Sequence, residues 1–253
     1  MSINWQDATD SEGVQTREFV IDTERGRKVT GALWLPTTDT PIEFLMCFGH
    51  GASDDRYQEP ICDLAARFQA QGIACLSVDG PVHGLRRVEP GGREALMVEM
   101  QRPGVFDDMV DDWNISVAAM RSLPALSNTQ LGYFGLSMGS IFGIPFVAQR
   151  DDMIAAALGL LGTKDNTFGQ TINAAAQNIT IPVRFLVQLE DELFDRESCL
   201  ALFDQLATTY KAMGANPGLH PEVPSDEIDA AFDFLMQQFK GLGDRRVTSL
   251  ISD

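Results

Sequence analysis

The sequence predicts an α/β fold: a mostly parallel sheet of about eight strands with helices on both faces. Three observations carry this expectation. Continuous apolar runs recur at 44–48, 73–78, 154–160 and 181–189, the pattern of strands buried on both faces. Between most of them lie segments whose apolar residues return every three or four positions, as on a helix with one buried side. The run 131–140, LGYFGLSMGS, sets a G-x-S-x-G pentad between an apolar strand and an apolar helix, the order of a sharp strand-to-helix turn.

The elements follow in order. Residues 16–21 and 29–35 read as an antiparallel opening pair across the polar turn 22–28. The strand 44–48 ends in Gly49-His50-Gly51. A helix over 57–71, with Ile61, Leu64, Ala65 and Phe68 on one stripe and Gly72 as its stop, leads to the strand 73–78. After Asp79-Gly80-Pro81-Val82-His83-Gly84 comes 85–104, rich in Arg, Gly and Pro, which reads as an insertion or small lid. A helix over 106–123, the strand 130–134, the pentad, a helix over 138–150 and the strand 154–160 come next. A looser stretch, 162–178, precedes the strand 181–189. A helix over 196–206, a short strand or turn at 211–213 and a helix over 226–239 complete the pattern.

Composition bounds the rest. The 253 residues, 44% hydrophobic, suffice for one large core. Neither a linker nor a repeat divides them, so a single domain over 1–253 is expected, with flexible tails at 1–15 and 241–253. A formal charge of −17 argues against nucleic acid or an anionic membrane as a partner. No apolar stretch approaches the length of a membrane span, and the polar, acidic start is unlike a secretory signal. Cys47, Cys62, Cys75 and Cys199 show no metal-ligand spacing and read as reduced thiols of a cytoplasmic protein, with no metal site and no cofactor. Oligomeric state leaves no mark in the sequence.

The pentad directs the chemistry. Gly135 and Gly139 flank Ser137 where strand and helix must approach closely, so Ser137 is the candidate nucleophile. A serine hydroxyl needs a base, and the base needs an orienting acid. In the strand-to-helix arrangement both follow the serine, and of the three histidines, His50, His83 and His220, only His220 does. Glu190-Asp191-Glu192 closes the strand 181–189; Asp191 is the candidate acid, with Glu192 as its alternative. The backbone amides of Met138 and Ala52 are the candidate oxyanion donors. His50, Gly51 and His83 are candidate pocket residues. Expected roles are loop ordering for His50 and either pocket lining or a structural hydrogen bond for His83. Arg86, Arg87, Arg93 and Arg102 make the insertion locally basic, read as a solvated face ahead of an anion site.

This ordered set resembles the α/β-hydrolase superfamily, and more closely its small, dienelactone-hydrolase-like esterases, over about residues 16–240. The resemblance implies an eight-stranded sheet and cofactor-free hydrolysis through an acyl-serine intermediate, with Ser137, Asp191 and His220 as the triad. One departure stands out: members of that group often carry cysteine as nucleophile, whereas this chain has Ser137. The stretch from Ser137 to Glu190 leaves no room for a large cap, so a shallow pocket for short acyl groups is expected.

The function expected is therefore a serine esterase acting on small-molecule carboxylic esters. A thioesterase, a peptidase or a perhydrolase would use the same triad. A binding module without catalysis would need none of the three residues in register.

Overall fold

A computed structural model of the chain describes residues 3–11, 14–52, 57, 59–164 and 167–243. Its described strands form one ten-stranded sheet. At the antiparallel end, β1 (Ile3–Trp5) and β2 (Thr9–Ser11) both pair with β3 (Val14–Asp22), and β3 pairs with β4 (Lys28–Leu35). β4 runs antiparallel to β6 (Ala74–Val78). From there β6, β5 (Phe44–Gly49), β7 (Gln130–Leu136), β8 (Met153–Gly159), β9 (Val183–Gln188) and β10 (Lys211–Asn216) lie side by side and parallel. The eight strands β3 to β10 match the expected count, and β1 and β2 extend one edge.

Because β5 has β6 on one side and β7 on the other, the chain leaves β5 in one direction and later returns to its opposite flank. Such a reversal opens a crevice at the carboxyl ends of the two strands. The loops after β5 and β7 meet there.

Seven α-helices, α1 (Ile61–Gln69), α2 (Gly92–Glu99), α3 (Val105–Arg121), α4 (Met138–Val147), α5 (Gly169–Ala176), α6 (Arg196–Gln205) and α7 (Ser225–Phe239), and two short 3-10 helices, Gly84–Arg86 and Pro124–Leu126, complete the described chain. Alternate residues of the central strands face opposite layers. Met46, Phe48, Cys75 and Phe134 meet α1 and α7 through Leu64, Phe68, Ala231 and Leu235. Leu45, Cys47, Leu76 and Tyr133 meet the other helices through Trp113, Phe146, Ile172 and Leu202. This two-sided burial is why the strands read as unbroken apolar runs. Each fully buried side chain of the size of Phe68 or Leu45 contributes roughly 1.5–3 kcal/mol.

Three segments differ from expectation. Within the supposed tail 1–15, β1 and β2 join the sheet; the Trp5 ring meets Phe19 edge-on at 6.1 Å between centroids and carries the Arg17 guanidinium 4.6 Å from its centroid. A lone aromatic in a polar stretch conceals that anchorage. The stretch 162–178 contains α5, which buries Ile172 and Ala176; its alanines blur the apolar stripe that would have marked it. At 211–213 the strand is longer, since pairing with β9 carries β10 to Asn216 despite a sequence poor in strand formers. Residues 244–253 of the other expected tail lie outside the described residues. Among the described residues no helix is long and apolar enough to cross a membrane.

Candidate active site

Ser137 stands between β7 and α4 with φ 55° and ψ −118°. That left-handed backbone is strained for any residue but glycine, and its surroundings hold it. The Ser137 amide donates to the Gly159 carbonyl at 3.0 Å, and the Ser137 carbonyl receives the amides of Ser140 and Ile141 at 2.9 Å. The flanking glycines are needed sterically: a Cβ on Gly139 would lie 2.2 Å from the Gly49 oxygen, and one on Gly135 would lie 2.8 Å from the Gly139 backbone.

Two residues that the sequence reading left without a role brace this turn. The buried Ser140 hydroxyl lies 2.7 Å from the Gly135 carbonyl, 2.8 Å from that of Gly159, and accepts the Gly159 amide at 2.8 Å. Tyr133, fully buried, donates its hydroxyl to Gly139 O at 2.7 Å. Ser140 stands three residues after Ser137 inside the quoted run, but a small polar residue at a helix start has many ordinary uses, and only the contacts distinguish this one.

The structure brings Ser137, His220 and Asp191 into one chain of hydrogen bonds. Ser137 Oγ lies 2.9 Å from His220 Nε2, and His220 Nδ1 lies 2.7 Å from Asp191 Oδ2. The other Asp191 oxygen, Oδ1, accepts the amides of Leu193 at 2.8 Å and Phe194 at 3.0 Å. Burial alone pushes the Asp191 carboxyl up, but the hydrogen bonds from His220 and from these two amides outweigh it and hold the group below the usual carboxylate range. The Asp191 side chain is 1% exposed and that of His220 12%.

The acidic trio after β9 divides its work. Glu192, the alternative acid, accepts the His220 backbone amide at 2.9 Å and does not reach the ring, and that amide holds its carboxyl below the usual range. Glu190 accepts the Gly218 amide at 2.5 Å. With Gln188, which donates to the Glu222 carbonyl at 2.8 Å, these carboxylates tie the 216–222 loop to the end of β9. The loop that carries His220 is thus anchored by its backbone as well as by its ring.

Beside Ser137 opens a cleft of about 400 Å³. Ile61, Phe134, Leu136, Leu160, Val223 and Ile228 give it apolar walls, and Gly49, His50, Gly51 and Ala52 form part of its rim. Arg93 of α2 and Glu59 also line it, so the 85–104 insertion contributes to the cleft. Met138 is the first residue of α4, where backbone amides have no partner within the helix. Ala52 follows the end of β5 in the facing loop.

Of the three pocket candidates, His50 and Gly51 border the cleft and His83 does not. His83 is buried beneath the loop, its Nε2 2.6 Å from the Ala52 carbonyl and its Nδ1 2.8 Å from that of Pro81. The tight turn at 80–83 folds the ring inward, so the structural hydrogen bond is the alternative that holds. His50 accepts the Gly80 amide at Nε2, 2.8 Å, which leaves Nδ1 as the nitrogen that donates to Gly51 O at 2.8 Å.

The basic insertion is salt-bridged: Arg86, whose side chain is 14% exposed, is drawn inward, whereas Arg102, 41% exposed, stays on the solvated face expected of it. Arg86 and Arg27 share the buried Asp112 at 2.5 and 2.9 Å, and Arg27 and Arg102 share Asp108 at 2.5 and 2.7 Å, with Glu99 2.7 Å from Arg102. These cations are matched by carboxylates, and they tie the insertion to α3 and to the β3–β4 turn. Among the described residues no group of three His, Cys, Asp or Glu side chains is arranged to hold a metal.

Comparison with known proteins gives the family and the fold. A family model described as the dienelactone hydrolase family matches residues 61–220. The chain is similar to a cold-adapted esterase from an Arctic intertidal metagenomic library. Its zinc-bound structure is 30% identical with a TM-score of 0.78, covering 93% of this chain and 99% of that one. Its polyethylene-glycol-bound structure is 29% identical with a TM-score of 0.79, covering 94% and 99%. Acetyl xylan esterase 1 from Thermoanaerobacterium sp. JW/SL YS485 shares the fold at 14% identity, TM-score 0.70, covering 94% of this chain and 88% of its own. No curated protein matches the sequence.

Proposed function

Since the chain belongs to the dienelactone hydrolase family, we propose that it is a serine esterase that cleaves small carboxylic esters through an acyl intermediate on Ser137. The observation that carries the reading is the unbroken contact from Asp191 Oδ2 through the His220 ring to Ser137 Oγ, at 2.7 and 2.9 Å. It ends on a serine held in a strained turn at the mouth of an apolar cleft.

In this reading His220 Nε2 takes the Ser137 hydroxyl proton as Oγ attacks the ester carbonyl carbon. Asp191 keeps the hydrogen of His220 on Nδ1, so that Nε2 presents its lone pair to the serine, and it stabilises the ring once charged. The carbonyl oxygen of the tetrahedral adduct faces the amides of Met138 and Ala52. Collapse breaks the bond to the alcohol, which leaves with the proton from His220. Water then attacks the acyl-serine with His220 again as base, and the acid departs as Ser137 recovers its proton. A cleft of about 400 Å³ walled by Ile61, Leu136, Leu160 and Ile228 suits short acyl chains.

The test is hydrolysis of chromogenic esters with two to twelve acyl carbons, with a thioester of matched length beside them. Short esters should turn over, and Ser137→Ala should lose at least about 10⁴ of kcat. Turnover confined to long chains, or to the thioester, would refute the substrate class. An unchanged rate in Ser137→Ala would refute the nucleophile.

A further inference from the structure

His83 and His50 do more than fill space beneath the cleft. Each meets the carbonyl of one of two consecutive residues in the loop after β5: His50 Nδ1 donates to Gly51 O at 2.8 Å, and His83 Nε2 lies 2.6 Å from Ala52 O, the shorter of its two carbonyl contacts and the one a neutral ring with its hydrogen on Nε2 makes, the other being Nδ1 at 2.8 Å from Pro81 O. The two rings stand edge to face, 5.4 Å between centroids, and are 2% and 3% exposed. In a trans peptide the carbonyl and the following amide point in opposite directions. Holding Gly51 O therefore sets where the Ala52 amide points, and holding Ala52 O restrains Ala52 at its other side.

The backbone that presents these rings is itself constrained. The turn from Gly80 to His83 is closed by the His83 amide on the Gly80 carbonyl at 3.2 Å, with Pro81 and Val82 between them. Val82 has φ 57°, a left-handed conformation that a β-branched side chain strongly disfavours. At its base the buried Asp79 carboxylate takes the Thr30 hydroxyl at 2.5 Å and the Leu85 amide at 3.2 Å. A Cβ on Gly80 would lie 2.6 Å from the Met138 methyl, the far end of a flexible side chain, and in ordinary contact, 3.4 Å, with His50 Nε2. The Gly80 amide also fixes which His50 nitrogen carries hydrogen. Backbone strain of this kind persists only where the surrounding contacts over-determine it.

We infer that His50, through Gly51 O, fixes the direction of the Ala52 amide, and that His83 is a positioning residue that clamps the Ala52 carbonyl and so keeps Ala52 from turning that amide away from an oxyanion. It touches neither substrate nor Ser137 and acts through the Ala52 carbonyl. The inference rests on the esterase reading for the identity of the second oxyanion donor.

The experiment compares His83→Gln, whose side-chain amide retains a donor near the Nε2 position, with His83→Phe, which retains a ring and has no donor. Active sites are counted by stoichiometric labelling with a phosphonate, and two rates are expressed per labelled site: kcat on a short ester and the second-order rate of phosphonylation. Loss of a full oxyanion donor costs about 10²–10³-fold in kcat, and a donor left in place but free to turn should cost less. His83→Phe is expected to fall about 10- to 100-fold in both rates with KM little changed, and His83→Gln to stay within about threefold of the parent. Equal rates per labelled site in all three proteins, or equal losses in the two variants, would overturn the positioning role. Phosphonylation needs no particular natural substrate. A parent that is labelled but turns over no ester therefore refutes the esterase reading while leaving the His83 comparison to be read from the labelling rates.

Discussion

Replacing Asp191 by Asn should disable the site through one proton while leaving its shape intact. The Asp191 carboxylate takes two amides at Oδ1, from Leu193 and Phe194, and faces His220 Nδ1 through Oδ2. An asparagine has one acceptor and one donor end. With its oxygen toward the two amides, its NH₂ group faces His220 Nδ1, and the ring must then carry its hydrogen on Nε2, pointing at Ser137 Oγ. The reverse orientation keeps the ring tautomer but turns the NH₂ group toward two amide hydrogens. Leaving two half-buried donors unsatisfied costs up to about 1–3 kcal/mol each, more than moving a proton between the nitrogens of a neutral imidazole. The first orientation wins, and His220 can no longer accept the serine proton. The same change in a serine protease lowers kcat about 10⁴-fold, equivalent to about 5.4 kcal/mol in the barrier. The assay is kcat on a short ester at neutral pH, with circular dichroism to verify the fold. A loss below about tenfold in a folded Asp191→Asn protein would refute the assignment of Asp191 as the orienting acid.

Other perturbations probe the scaffold. Gly139→Ala drives a methyl group to 2.2 Å from the Gly49 oxygen; both partners are backbone, so it should destabilise by about 3 kcal/mol or more, and a melting temperature within a few degrees of the parent would contradict the close approach of β5 and α4. Native thiol labelling at pH 8 should modify only Cys62, which is half-buried, because burial pushes Cys47 and Cys199 up to about 12 and Cys75 well above its ordinary value; four thiols should react after denaturation. The Asp191 carboxyl is held below its unfolded value of about 3.9, so its stabilising contribution is present above that value and is lost as pH falls through the folded one. Melting temperatures of parent and Asp191→Asn should therefore converge between pH 5 and pH 2.5, and a constant difference would count against the shift.

The sequence by itself determined the features that depend on near neighbours and on side-chain period. Unbroken apolar runs with intervening amphipathic stripes are enough to require a two-sided parallel sheet, and glycines two residues on either side of Ser137 are enough to require a tight strand-to-helix turn. His220 could be selected because only one histidine follows Ser137. Where the pattern was weak, the elements were misread: β1 is anchored by one tryptophan, α5 is masked by alanine, and β10 exists because β9 offers it an edge. What only the tertiary structure decided depends on contacts between distant parts of the chain. Asp191 could be preferred to Glu192 from the sequence, but the path of the 216–222 loop decides that Asp191 meets the imidazole ring while Glu190 and Glu192 take backbone amides of that loop. Arg86 and Arg102 look like a free basic patch until α3 brings Asp108 and Asp112 against them. For His83 the sequence left pocket lining and a structural hydrogen bond open, and the turn that folds it under Ala52 decides for the second. Directional polar contacts act over about 3 Å between groups tens of residues apart, so no local pattern encodes their partners, whereas burial and backbone sterics are written residue by residue.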